Sequence, residues 1–181
     1  MNELDVLIDV AKKLNSINVQ YMLTGSFAMN YYAEPRMTRD IDIVVNINSS
    51  DIRKIIKTFS TDYYLSENAI KEAIDNARMF NAIHNESVVK VDFVVRKNTE
   101  YRINEFNRRK RIQINNVDIQ IVRAEDLIIS KLIWMKDTGS ELQKRDLYNL
   151  LNQKTDREYL NTWIEKLKLQ DFLKELDNER H

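Results

Sequence analysis

The stretch Thr24–Asn46, TGSFAMNYYAEPRMTRDIDIVVN, sets the fold of this chain. It contains one of only 2 glycines, the single proline, and two aspartates one residue apart. An apolar run over 19–23 predicts a strand that ends at the Gly25-Ser26 pair. A helix is predicted over 26–34, because Pro35 disfavours helix at the residue before it. A β-branched run over 41–47 predicts the next strand.

Asp40 and Asp42 lie at the start of that strand. Side chains alternate along a strand, so both carboxylates point to one face and Ile41 and Ile43 to the other. Two residue steps place the carboxylates roughly 6–7 Å apart. Acids this close repel each other, and a shared divalent cation removes the repulsion.

A third acid, Asp92, lies inside the apolar strand sequence VVKVDFVV. A buried carboxylate without a partner is costly. Either an ion pair with Lys or Arg or a metal ion on a neighbouring strand would remove that cost. Three acids on neighbouring strands form the hard-oxygen site that suits Mg²⁺ in phosphoryl transfer.

The Gly25-Ser26 pair lies between a predicted strand and a predicted helix. Backbone N–H groups at a helix N-terminus bind phosphate, and glycine lets the backbone approach closely. Ser26 as an ordinary helix N-cap explains the same pair without any ligand.

The composition is that of a soluble globular protein. Lys+Arg 28 balances Asp+Glu 28, and Cys is absent, which excludes disulfides and thiolate metal sites. The N-terminus lacks a basic signal-peptide region and no apolar run could span a bilayer, so we expect no membrane association and a cytoplasmic location.

Strands and helices alternate up to residue 123, and only helices follow. Further helices are predicted over 3–17, 51–60, 67–76 and 100–107, and strands over 79–84, 88–95, 111–114 and 117–122. The last helices are predicted over 124–135, 141–152, 156–166 and 168–177. We therefore expect an α+β fold: a mixed β-sheet core over 1–123 with helices on one face, and a C-terminal helical subdomain over 124–181.

The order Thr24-Gly25-Ser26, Asp40-Ile41-Asp42, Val91-Asp92-Phe93 resembles the signature of the DNA polymerase β-like nucleotidyltransferase superfamily. Thirteen residues, 27–39, separate Ser26 from Asp40. Within that superfamily the chain looks most like the small bacterial AbiEii and MenT nucleotidyltransferase toxins. The segments Glu125–Lys131 and Lys144–Leu147 are similar to that group as well.

The resemblance implies a metal-dependent transfer of a nucleoside monophosphate from an NTP to an acceptor. Asp40, Asp42 and Asp92 would be catalytic and bind Mg²⁺ or Mn²⁺, with Asp92 also able to act as a general base. The NTP would contact Gly25, Ser26, Arg39 and Lys131. Gly25 and Ser26 would hold its outer phosphates, and Arg36, Arg39 or Lys131 would offset the charge that develops. A later acid, Asp146, would join the site. For Lys131 the alternative is a solvent-reaching residue on an amphipathic helix; for Asp146 it is an ion pair involving Arg145 or Lys144.

Three functions stay open. One is a toxin-like enzyme that modifies RNA or protein and has a cognate antitoxin or partner. Another is an antibiotic-modifying enzyme of the aminoglycoside or lincosamide type. The last is a non-catalytic binding protein or antitoxin with the same fold.

Weaker signals lie elsewhere in the chain. The basic cluster Arg108–Arg111 suits RNA contact or a solvated surface. We expect His84 at the surface or in a turn, and Trp134 and Trp163 in the core of the last helices.

Overall fold

The computed structural model describes residues 1–138 and 141–178, so residues 139–140 and 179–181 of the predicted subdomain lie outside the described residues. The helices, labelled α1 to α9, are Glu3–Ser16, Gly25–Tyr32, Ile52–Phe59, Glu67–Asn76, Glu100–Arg108, Ala124–Thr138, Glu141–Leu151, Arg157–Lys166 and Gln170–Asn178. The strands, labelled β1 to β7, are Gln20–Leu23, Asp40–Asn46, Tyr63–Tyr64, Met79–His84, Lys90–Val95, Lys110–Ile114 and Val117–Ile121.

All seven strands form one mixed sheet in the order β3-β4-β5-β2-β1-β7-β6. The pairs β2–β5 and β1–β7 are parallel, and the other four pairs are antiparallel. The α+β fold predicted from the sequence is confirmed. Within the described residues, every helix is too short or too polar to cross a membrane.

The chain separates into two compact units. Unit 1 comprises Met1–Phe27 and Met37–Val122, and so contains the whole sheet; unit 2 comprises Ala28–Arg36 and Arg123–His181. The division at residue 123 into a catalytic core and a helical subdomain stays a prediction.

The core of unit 1 follows from two sequence patterns. Strand β2 alternates, with Ile41, Ile43 and Val45 buried and the residues between them more exposed. Helix α1 buries an apolar stripe at helical spacing and contacts β1, β2 and β7. The apolar face of β2 is therefore held in the core, and its other face carries Asp40 and Asp42.

Turn chemistry explains where the hairpins form. Asn115 and Asn116 both have positive φ, of 47° and 61°, as the tight turn between β6 and β7 requires. Val88 also has a positive φ, of 56°, which is unfavourable for a β-branched residue and incompatible with a strand. Strand β5 therefore begins at Lys90, two residues later than the sequence predicts.

The structure differs from the sequence predictions at three places. The two-residue strand β3 is not predicted, because it is too short to show a pattern. The predicted surface position of His84 is wrong. This residue is buried, its Nδ1 lies 2.9 Å from Ser87 Oγ, and its ring packs edge-on against Tyr63. In unit 2, Trp163 is buried as predicted, but Trp134 is 58% exposed, because it lies outside the buried stripe of α6.

Candidate active site

The register between β2 and β5 places two of the predicted acids side by side. These parallel strands pair Asp42 with Asp92 and Asp40 with Lys90. Both strands are rich in β-branched residues whose alternate side chains fill the core, and this fixes the register. The expectation that the Asp92 strand lies next to the Asp40–Asp42 strand is confirmed.

Gly25 packs directly against the side chain of Asp42. Its φ is +63°, and a Cβ on this residue would lie 2.0 Å from Asp42 Oδ2 and 2.8 Å from Asp42 Cβ. The Thr24 N–H also donates a 2.9 Å hydrogen bond to the Asp42 carbonyl oxygen. Only glycine permits both the left-handed backbone and this close approach. The Gly-Ser turn and the Asp-x-Asp strand are therefore in contact.

Asp92 is only 6% exposed, and both of its carboxylate oxygens have partners. Asn81 Nδ2, on the neighbouring strand β4, donates to Oδ1. Lys90 Nζ lies 3.0 Å from Oδ2. The ion-pair alternative for this acid therefore describes the side chain as it stands in the structure.

Lys90 is a member of the cluster that the sequence predictions missed. Its Nζ also lies 3.6 Å from Asp40 Oδ1, so one ammonium lies between two of the predicted metal ligands. The hydrogen bond to Asp92, supported by the charge of Asp40, raises the pKa of Lys90. The signal was present in the sequence, because Lys90 stands two residues before Asp92 and so shares its face of β5.

The arrangement suits a cation, although the acids are not gathered around a single point. Within residues 1–138 and 141–178, no three His, Cys, Asp or Glu side chains converge as metal ligands. The donors are nevertheless the hard oxygens that Mg²⁺ prefers, and the Lys90 ammonium shows that the space between Asp40 and Asp92 favours positive charge. The residues present therefore fit a divalent ion.

The other predicted phosphate ligands of unit 1 flank these acids in sequence. Ser26 is the second residue of α2, where backbone N–H groups have no partner within the helix, and it is half-buried. Arg39 immediately precedes β2 and is exposed. Their binding roles stay predictions.

A buried ion cluster in unit 2 contains two more of the predicted residues. Asp146 is fully buried and accepts hydrogen bonds from Arg36 Nε at 2.8 Å and Nη2 at 2.9 Å. Lys131 Nζ lies 2.8 Å from Asp146 Oδ2 and 3.0 Å from Gln143 Oε1. Burial alone would raise the pKa of Asp146, but the hydrogen bonds from Arg36 and Lys131 outweigh it and hold that pKa below its usual value.

This cluster revises two of the sequence alternatives. Asp146 pairs with Arg36 and Lys131, which are distant in sequence, and not with Arg145 or Lys144. Lys131 is 5% exposed, so it does not extend into solvent. Neighbours in sequence on a helix point to different sides, whereas Lys131 reaches Asp146 across the contact between α6 and α7.

Unit 2 also contains a polar cavity beside the Arg36 end of this ion cluster. Its volume is about 220 Å³. The lining residues are Met29, Glu34, Pro35, Arg36, Arg145 and Asn149.

The basic cluster Arg108–Arg111 is partly engaged within unit 1. Arg109 lies over the Phe106 ring at 4.2 Å and donates to the Phe106 carbonyl, and burial lowers its pKa. Arg111 is exposed but lies 3.4 Å from Asp118. The cluster therefore offers nucleic acid less free charge than its sequence indicates.

Comparison with known proteins decides the family. The profile of the AbiEii family, described as nucleotidyl transferase AbiEii toxin, type IV TA system, matches residues 14–177. The chain belongs to the AbiEii nucleotidyltransferase family. It is therefore a nucleotidyltransferase of the polymerase β-like fold, as the motifs predicted, in a family of toxin–antitoxin toxins. No curated protein shows a significant match to the sequence.

Solved structures share the fold of this AbiEii-family chain at low sequence identity. An antigenic nucleotidyltransferase-like protein from Paracoccidioides brasiliensis superposes with a TM-score of 0.57 at 18% identity, covering 97% of this chain and 92% of that one. The antibiotic-resistance factor ANT(2'')-Ia gives 0.63 at 10% identity, with 100% of both chains covered. Lincomycin-bound LnuA, a lincosamide antibiotic adenylyltransferase, gives 0.54 at 15% identity, covering 83% and 95%.

Proposed function

We propose that this chain is a metal-dependent toxin that transfers a nucleoside monophosphate from an NTP to RNA or protein. The proposal rests on one observation above all: Asp42 is paired with Asp92 across β2 and β5 and packed against Gly25 of the Gly-Ser turn. Carboxylates bind cations, whereas the N-terminus of a helix binds anions. Their direct contact suits a ligand that combines the two, a polyphosphate with its metal ion.

The residues of unit 1 then have separate roles. Asp40, Asp42 and Asp92 would hold Mg²⁺ or Mn²⁺, which when bound lowers the pKa of an acceptor hydroxyl and offsets phosphate charge. Gly25 and Ser26 would bind phosphate oxygens through backbone N–H groups at the start of α2. Arg39, exposed and one residue before Asp40, would offset the charge that develops on the phosphates.

Asn81 would position Asp92. Because it donates to Oδ1, it leaves Oδ2 as the oxygen directed at the ligand side of the site. This hydrogen bond also fixes the orientation of the carboxylate, as outer partners of metal ligands do.

Two residues of unit 2, Lys131 and Asp146, would also take part in the reaction. Their ion pair with Arg36 holds the Lys131 ammonium in a fixed position. We propose that Lys131 contacts nucleotide phosphates and that Asp146 positions it, in agreement with the family resemblance. RNA or protein as the acceptor, and a cognate antitoxin as the partner, are supported by the description of the family as a toxin of a toxin–antitoxin system.

Labelled nucleotide transfer tests this proposal. The full chain is incubated with Mg²⁺ and each α-³²P NTP, against total RNA, a cell protein extract and a panel of aminoglycosides and lincosamides. We expect label on RNA or protein, and a loss of about a hundredfold or more in Asp42→Asn, which keeps the shape packed against Gly25. The matched control is Asp75→Asn, an exposed acid on α4, which retains activity.

Two results would contradict the proposal. Label appearing only on an antibiotic would make this chain a resistance enzyme. If no acceptor is labelled and Asp42→Asn binds Mn²⁺ as the wild type does, the proposal of a metal-dependent transfer is rejected.

A further inference from the structure

Lys90 occupies the position between two of the acids to which the metal is assigned. Its Nζ is 3.0 Å from Asp92 Oδ2 and 3.6 Å from Asp40 Oδ1. It reaches both because β2 and β5 pair Lys90 with Asp40, and because Lys90 and Asp92 share one face of β5.

Both carboxylate oxygens of Asp92 already have a partner within the protein. Asn81 donates to Oδ1 and Lys90 binds Oδ2. The Asn81 amide lies on the adjacent strand β4, in register with Asp92, and is held by the sheet. The Lys90 ammonium lies at the end of a flexible side chain that is 38% exposed. Lys90 is therefore the partner that can move away from Asp92.

We propose that Lys90 is a built-in counter-cation that neutralises Asp40 and Asp92 in the metal-free protein and that a divalent ion must displace to bind there. The inference rests on the proposed function in taking these acids as metal ligands. Lys90 is thus a positioning residue. It keeps the carboxylates together without metal and sets how tightly a divalent ion binds.

Competition of this kind has a definite sign. A cation fixed beside two carboxylates disfavours a second cation at the same oxygens, and removing it strengthens metal binding. A Lys90 that merely supported the fold would, when removed, leave metal affinity unchanged or lower it. Metal affinity therefore separates the two roles.

Mn²⁺ binding to the full-length chain, followed by the electron paramagnetic resonance signal of free Mn²⁺, tests the proposal at fixed pH and salt. Lys90→Met keeps the length of the side chain without its charge, and we expect it to bind Mn²⁺ about tenfold more tightly than the wild type. Lys90→Arg keeps the charge and should stay close to wild-type affinity. Asp92→Asn in the Lys90→Met background should abolish the gain.

Unchanged or weaker binding by Lys90→Met, including no binding by either protein, overturns the proposal. A second measurement on the wild type covers the case in which this variant fails to fold. Acetylation of Lys90 by acetic anhydride, measured by mass spectrometry, should increase when Mn²⁺ is added, because the amine is released. Acetylation of Lys90 that does not change with Mn²⁺ also overturns it.

The outcome is separable from that of the proposed function. Tighter Mn²⁺ binding without any nucleotidyl transfer would retain the counter-cation and reject the reaction. Transfer activity with equal Mn²⁺ affinity in wild type and Lys90→Met would retain the reaction and reject the counter-cation.

Discussion

Gly25→Ala should destabilise unit 1 and disturb Asp42 together. Gly25 has a φ of +63°, and a left-handed conformation costs a residue with a Cβ about 1–2 kcal/mol. The new methyl group would also lie 2.0 Å from Asp42 Oδ2. Rotating the Asp42 carboxylate would relieve that contact, but not the 2.8 Å contact with Asp42 Cβ, so the strand or the turn must shift. Such overpacking adds about 1–3 kcal/mol.

We therefore expect Gly25→Ala to lower the free energy of unfolding by about 2–5 kcal/mol. Urea unfolding followed by far-ultraviolet circular dichroism measures it by linear extrapolation. In an Asp42→Ala background, which removes the carboxylate but keeps Cβ, the same substitution should cost about 1 kcal/mol less. A Gly25→Ala variant within about 0.5 kcal/mol of the wild type would refute the close packing of this turn against Asp42.

Three further predictions concern stability and exposure. Asp146→Asn should cost about 3 kcal/mol at pH 7, because it leaves two buried cations without their anion. Folding lowers the pKa of Asp146. The stability that this ionised carboxylate contributes is therefore complete above about pH 4 and is lost as the pH falls through the lower folded pKa. Between pH 5 and pH 2, the free energy of unfolding should fall more steeply in the wild type than in Asp146→Asn. Ala77→Gly should stabilise the chain by about 0.5–1 kcal/mol in urea unfolding, because Ala77 ends α4 with a φ of 47°; equal or lower stability would contradict this. Iodide should quench the fluorescence of the Trp163→Phe variant, which retains the 58% exposed Trp134, far more than that of Trp134→Phe; similar quenching would place both rings in one environment.

Much of the fold could be predicted because local patterns and core packing agree. The alternation of β2 is visible in sequence, and burial of Ile41, Ile43 and Val45 follows from it. Asp92 could be recognised as unusual because it interrupts the apolar residues of β5. The family resemblance assigns Gly25, Asp42 and Asp92 to one site, and the structure packs Asp42 against Gly25 and pairs it with Asp92.

The missed features depend on which distant residues meet. A single sequence does not state which partner a buried charge has, so Asp146 was matched with its helix neighbours although Arg36 and Lys131 hold it. Trp134 and Trp163 both lie on helices with apolar neighbours, and only the packing of those helices shows which ring is covered. A lysine near a strand end is common in sequences, and the position of Lys90 opposite Asp40 follows from strand register alone.

The strand order has a consequence for when the site comes into being as the protein folds. The antiparallel neighbours β4–β5 and β6–β7 join segments close in sequence, whereas the parallel pair β2–β5 joins Asp42 to Asp92 across about fifty residues. Closing such a long loop costs entropy before the contacts between the two strands can stabilise it. Non-local parallel pairs therefore form slowly. A nascent chain still lacking β5 contains the Gly-Ser turn and Asp42 but not the third acid. The pairing of Asp42 with Asp92 would thus form late in folding, after the local hairpins.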